Sequence, residues 1–197
     1  MIDMTELKLD LKKAALVVID IQKGIAAIGR KLEPYTGSQV IVNVSKLVRR
    51  FRELGMPVFL VHVTSINGKD MLHPITNQQL QWSSSQRPAD WAEFVEEIRP
   101  TEKDIVITKR QWGAFYGTEL DLQLRRRSID TIVLCGVSTN IGVETTAREA
   151  YQYGYNQVFV TDAMTASSKD EHEVTLKFIF PRIGLLRTTE QVLSTLS

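Results

Sequence analysis

The chain predicts an α/β fold in three layers, a mainly parallel sheet with helices on both faces. Three observations carry that expectation. Nearly continuous apolar runs rich in β-branched residues recur along the sequence, amphipathic helical patterns lie between them, and the two types alternate instead of segregating. Repeated strand–helix–strand order implies right-handed crossovers.

The first run is AALVVIDI, Ala14 to Ile21, and its lack of polar alternation suits a strand buried on both faces. Val40, Ile41, Val44, Leu47, Val48, Phe51 and Leu54 then recur at three- and four-residue steps, and the segment stops at Gly55 with Pro57 beyond. Val58 to Val63 is the second strand. From Ile66 to Arg99 the chain holds Gly68, Pro74, Ser83 to Ser85, Pro88 and two tryptophans, with little periodicity before Trp91. We read it as a long excursion with a short helix near Trp91 to Ile98, and long loops in compact domains are often functional. Asp104 to Thr108 is the third strand, and Thr118 followed by Asp121 opens a shorter helix. Thr131 to Val137 is the fourth strand; Val143, Ala147, Ala150 and Tyr151 mark one face of the next helix, closed by Gly154. Gln157 to Thr161 follows as the fifth strand. Ser168 with Glu171 resembles a capping box opening a helix through Phe180. Gly184 to Leu186 is a candidate sixth strand.

Bulk properties restrict the function. With 197 residues and 43% hydrophobic content, the chain fits one domain, 1–197, with a sizeable core. The 24 basic and 23 acidic residues are intermixed, so nothing suggests nucleic acid or anionic lipid as a partner. The cluster Arg125, Arg126, Arg127 reads as a solvated helix end. One cysteine, Cys135, excludes an internal disulfide and fits a reducing compartment. The N-terminus is too charged for a signal peptide and its apolar run too short to cross a membrane, so a cytoplasmic location is expected.

In open α/β sheets chemistry collects where the strands end. Asp20 closes the first run, Lys109 follows the third, and the helix-opening segment with Gly142 follows the fourth. An aspartate there is also an ordinary helix N-cap, and a lone loop lysine is usually solvated. Together they say more, because burying one charge requires the other. Gly142 is the odd residue: glycine on the first turn of a helix weakens it by roughly 0.5–1 kcal/mol relative to alanine.

The stretches LVVIDIQKG, ITKRQWGAFYGTELDLQLRRRSID and LCGVSTNIGVETTAREAYQYGY followed by VFVTDA resemble the isochorismatase-like hydrolases, the superfamily of nicotinamidases, N-carbamoylsarcosine amidases and isochorismatases. The resemblance covers nearly the whole chain and implies a six-stranded, mainly parallel sheet and a homo-oligomer. Its cysteine-hydrolase branch places a nucleophilic cysteine where Gly142 stands here, and Asp20 and Lys109 match the other two members of that triad. It also implies a non-proline cis peptide at Val137–Ser138, in a segment whose backbone amides, with those near Gly142, receive developing charge.

Two of three triad members are therefore present, and covalent amide hydrolysis is disfavoured. Cys135, inside the strand, reads as a small buried hydrophobe, and Ser138 would need an activating base. Isochorismatases have glycine at this position and cleave a vinyl ether without a thioester. Asp20 would act as general acid/base if burial raises its pKa, with Lys109 orienting it and opposing that rise. Trp112, Phe115 and Tyr116 are expected to form apolar walls around a small-molecule substrate, with Gln22 a weaker polar contact. The alternative is a family member that has lost catalysis and binds ligand or acts as a scaffold. A nucleotide-binding Rossmann protein fits the fold class but lacks G-x-G-x-x-G after the first strand. No metal or other cofactor is expected: nicotinamidases carry an aspartate–histidine–histidine zinc site after the second strand, but here His73 and Asp70 lack its spacing and His62 reads as a core histidine. His172 is expected to face solvent, and Gly142 to leave open space beside Asp20.

Overall fold

In a computed structural model, residues 9–66, 69–77 and 88–196 are described. Gly68, Trp82 and Ser83 to Ser85, part of the expected excursion, lie outside the described residues, as does the beginning of the N-terminus. The six strands are β1 (Ala14–Ile19), β2 (Val58–Val63), β3 (Ile105–Lys109), β4 (Thr131–Val137), β5 (Asn156–Thr165) and β6 (Leu185–Arg187). They form one sheet in the order β3-β2-β1-β4-β5-β6, and every neighbouring pair is parallel. Each crossover must then pass over a face, which is why helices cover both sides.

Side chains alternate along β1 and serve two cores. Leu16 and Val18 pack with Val40, Val44, Leu47 and Phe51 of α1 (Gly37–Glu53), whereas Ala15, Val17 and Ile19 pack with Leu120 and Leu124 of α2 (Leu120–Arg126) and Ala147 and Ala150 of α3 (Glu144–Gln152). The α1 stripe is the one that the sequence marks, and Thr36 with Gln39 caps it in a reciprocal box. The expected box of Ser168 and Glu171 opens α4 (Lys169–Phe178).

Several elements depart from expectation. The helix expected near Trp91 to Ile98 is reduced to one 3₁₀ turn, Glu96–Ile98, preceded by a turn over 89–92 and a short extended piece at Phe94 and Val95. That chain is held by pairing instead: the Lys23 and Gly24 amides donate to the Glu93 and Trp91 carbonyls at 2.8 and 3.0 Å. α4 stops at Phe178 and not Phe180, because Pro181 cannot supply an amide to a continuing helix. Tyr151 is exposed on α3, and Thr146 takes the inward position. A short α5 (Thr189–Ser194), which the apolar pattern is too brief to mark, closes the chain over β5. Among the described residues no helix is long and apolar enough to cross a membrane.

Candidate active site

Strand order brings the site together. The register pairs Ile19 with both Val61 and Gly136, and Val63 with Lys109, so the ends of β1, β2, β3 and β4 form one rim. Immediately past β1 the chain turns at Asp20, held at φ 53°, a left-handed conformation uncommon for residues other than glycine and asparagine-like ones. Lys109 must span β2 to reach it, a distance of about 10 Å between alternate strands that only a long side chain covers. Its Nζ lies 2.7 Å from Asp20 Oδ2, with 2% and 6% of the two side chains exposed. A second Nζ–H donates to the Trp112 carbonyl at 2.7 Å.

Asp20 Oδ1 is different. It is buried and has no hydrogen-bond partner among the described residues. The Val63 amide, which draws Asp20 toward its ionised form, is committed to Gln22 Oε1 at 3.0 Å. Burial therefore outweighs the attraction of Lys109 and pushes the Asp20 carboxyl above the ordinary aspartate range.

Gly142 stands against this pair. A Cβ placed on it would lie 3.2 Å from Asp20 Oδ2, 3.2 Å from Lys109 Nζ and 3.1 Å from Ile19 Cγ2. The expected open space is thus already in tight contact with the ion pair, and a side chain would need its neighbours to give way by a few tenths of an ångström. Gly142 belongs to a five-residue π-helical turn, Thr139–Val143, that enters α3. The preceding Val137–Ser138 peptide is cis, where the resemblance implies it. The Ile141 and Val143 amides both donate to the Ser138 carbonyl, at 3.1 and 3.2 Å, so those two are spent.

The other expected site residues fall into three groups. Gln22 is fully buried and its amide is used internally: Nε2 donates to the carbonyls of Val63 and Trp91, each at 3.2 Å, while Oε1 takes the Val63 amide. It is a brace between β2 and the returning excursion, not a free polar contact. Phe115 is also buried, its ring tilted against those of Tyr153 and Tyr155 at 5.3 and 5.7 Å in the core on the α2–α3 side, so it is not a pocket wall. Trp112 and Tyr116 are 55% and 60% exposed on the rim loop.

Cys135 is wholly buried in β4, and burial pushes its thiol far up, so it stays protonated. Both nitrogens of His62 are engaged, Nδ1 with the Ala92 carbonyl at 2.8 Å and Nε2 with Thr108 Oγ1 at 2.9 Å. Asp70 accepts from Ser65, the Ile66 amide and Arg110, which hold its carboxyl down at about 2.

His172 overturns its expectation: it is buried, with Nδ1 2.8 Å from Thr139 Oγ1. Desolvation lowers its pKa to about 4. The sequence misleads here because α4 leaves its apolar Val174 and Phe178 exposed while His172 and Thr175 turn inward to hydrogen-bond Thr139 and Glu144. Thr146 was missed as well, although its spacing from Val143 and Ala150 places it on the inward face of α3.

A cleft of about 550 Å³ lies elsewhere, between Lys23 to Arg30, the start of α1 and Val95 to Glu97. Neither Asp20 nor Lys109 lines it, and its charges are of both signs.

A parallel sheet carrying a buried aspartate–lysine pair at its carboxyl edge, next to a turn entered through a cis peptide, is the arrangement of an isochorismatase-like hydrolase. The Isochorismatase domain family matches residues 14–191, and the chain belongs to this family. It is 56% identical over 190 residues to the uncharacterized isochorismatase family protein YwoC of Bacillus subtilis, covering 96% of this chain and 97% of that one. It is 44% identical to YecD of Escherichia coli O157:H7, likewise an uncharacterized family protein, over 96% of this chain and all of that one. Among solved structures, an isochorismatase family protein of Burkholderia thailandensis superposes with a TM-score of 0.87 at 38% identity, covering 98% of this chain and 99% of that one. The N-carbamoylsarcosine amidase of Thermoplasma acidophilum gives 0.73 at 28% identity, with coverage of 90% and 97%.

Proposed function

We propose that the protein hydrolyses a small molecule without a covalent cysteine intermediate, by general acid/base catalysis at Asp20, and that an ether of the vinyl type is the favoured substrate over an amide. One observation carries this reading: Asp20 is buried with Oδ2 on Lys109 and Oδ1 unpartnered, beside a glycine that supplies no thiol. Oδ1 is the atom that can hold and deliver a proton. Transfer to the terminal carbon of a vinyl ether would leave an oxocarbenium ion. Water adds to that ion, and the hemiketal collapses to an alcohol and a ketone as the proton returns to Asp20. Lys109 keeps the carboxyl oriented and faces the substrate oxygen. Other nucleophiles are poorly placed, since Cys135 is inert and the Ser138 hydroxyl does not cap its own turn or meet a base among the described residues. The exposed Trp112 and Tyr116 are available to cover substrate or a second copy of the chain in a homo-oligomer. A cytoplasmic setting accords with one buried, unpaired cysteine.

The test is turnover of a panel of vinyl ethers, isochorismate included, by the wild type and by Asp20→Asn. A loss of about 10²–10⁴-fold is expected from removing a general acid, and unchanged turnover overturns the reading. The absent thiol also favours a second reading, a ligand-binding protein without catalysis. Saturable binding of panel members by calorimetry, with none turned over, would establish it.

A further inference from the structure

Two side chains one helical turn apart on α3 reach the loop that follows β3. The consecutive amides of Ala114 and Phe115 donate to Thr146 Oγ1 at 3.0 Å and Glu149 Oε2 at 3.1 Å. The loop backbone lies so close to that carboxylate that a Cβ on Gly113 would sit 2.2 Å from Glu149 Oε2, so only glycine permits the approach. Thr146 is fully buried, and its hydroxyl also donates to the Gly142 carbonyl at 2.6 Å. Donation to a carbonyl four residues back is ordinary for a helical threonine; acceptance of an amide from a separate loop at the same oxygen is not part of that habit. This one hydroxyl joins the turn bearing Gly142 to the loop bearing Trp112, whose carbonyl takes a Lys109 N–H.

We propose that Thr146 and Glu149 are positioning residues for the Asp20–Lys109 pair: they fix the 112–115 backbone so that the Trp112 carbonyl holds the ammonium against Asp20 Oδ2 and at a set distance from Gly142. They touch neither the pair nor the reacting atoms. The inference rests on the reading of Asp20 and Lys109 as the reactive pair, but its consequence is visible without turnover. A lysine free to swing away neutralises Asp20 less, so the carboxyl titrates at higher pH. Lys109 and His62 both favour the ionised carboxyl, and Glu149 is itself within the field of Lys109.

The experiment follows the Asp20 carboxyl carbon by NMR titration of ligand-free protein with ¹³C-labelled aspartate, the signal assigned by its loss in Asp20→Asn. Thr146→Val and Glu149→Ala are each expected to raise the midpoint by about 0.5 pH unit or more, in the direction of Lys109→Met. Thr146→Ser, which keeps the hydroxyl, stays at the wild-type value. Deleting the Glu149 charge by itself would move Asp20 the other way, so a rise reports the lost hydrogen bond. A lowered melting temperature with a Glu149→Ala midpoint no higher than that of Glu149→Gln, which loses the same charge but keeps an acceptor for the Phe115 amide, overturns the proposal, and this pair decides the matter if Thr146→Val does not fold. Since no substrate enters the measurement, failure here leaves the turnover test of Asp20→Asn separate, and failure there leaves the titration result standing.

Discussion

The two ends of β3 carry buried carboxylates that are built differently. At its amino end Asp104 is saturated: Oδ1 accepts from Arg52 Nε at 3.2 Å, and Oδ2 accepts from an Arg52 terminal nitrogen and the Thr101 amide at 2.7 Å each and the Thr101 hydroxyl at 2.8 Å. At its carboxyl end Lys109 meets Asp20, which keeps one oxygen without a hydrogen-bond partner among the described residues. A structural carboxylate spends its lone pairs on the fold. One that leaves an oxygen idle while buried carries a desolvation cost that its local contacts do not offset, and such a group is a candidate for chemistry.

The comparison is most exposed to failure when each pair is replaced as a unit. Asp104→Asn with Arg52→Met should destabilise the protein by about 2 kcal/mol, since hydrogen bonds to Arg99 and across the β3 entry are lost. Asp20→Asn with Lys109→Met should leave stability unchanged or raise it by up to about 2 kcal/mol, as replacement of buried ion pairs often does. Urea denaturation at pH 7 reads both. A rim double variant that loses more than the Asp104 one would make the rim pair a stability element and remove the contrast.

A second measurement sharpens it through pH. His172 lies against the turn after β4, and its folded pKa of about 4 is below the unfolded value of 6.5. Between those values the unfolded chain binds a proton that the folded one refuses. Stability from this group is therefore complete above about pH 6.5 and is lost as pH falls toward 4. Relative to His172→Gln, the wild type should lose about 2 kcal/mol more across that window. Equal slopes would mean that the ring is reached by water and that the turn is not held by a neutral imidazole.

The smallest expected effect is at Gly142. Gly142→Ala places a methyl at 3.1–3.2 Å from Ile19, Asp20 and Lys109, so helix propensity gained is offset by contact, and a net loss of about 1 kcal/mol is expected from thermal unfolding. If alanine stabilises the protein instead, the pair is looser than its distances indicate.

Much of this was legible in the residues. The apolar runs and the α1 stripe mark the sheet and its main helix because burial on two faces, or on one helical face, leaves a period in the sequence. Asp20, Lys109 and Gly142 could be picked out because they sit where such runs end. Where the reading failed, the inward residues were mostly polar, with Phe115 the apolar exception. His172 and Thr175 turn toward a polar turn, Gln22 is consumed by backbone groups, and Phe115 is drawn into an aromatic cluster with Tyr153 and Tyr155. Hydrophobic periodicity carries no signal for a buried group satisfied by hydrogen bonds.

What the sequence by itself determined is the order of strands and helices and the kinds of charge delivered to the strand ends, since both depend on local pattern and chain direction. Tertiary structure alone decided that Lys109 crosses β2 to Asp20, that Gly142 lies against both, and that Thr146 joins two loops with one hydroxyl. Those contacts join residues up to 122 positions apart (142 − 20), and contacts at that separation are set by sheet order and side-chain reach, neither of which is written in any short stretch of the chain.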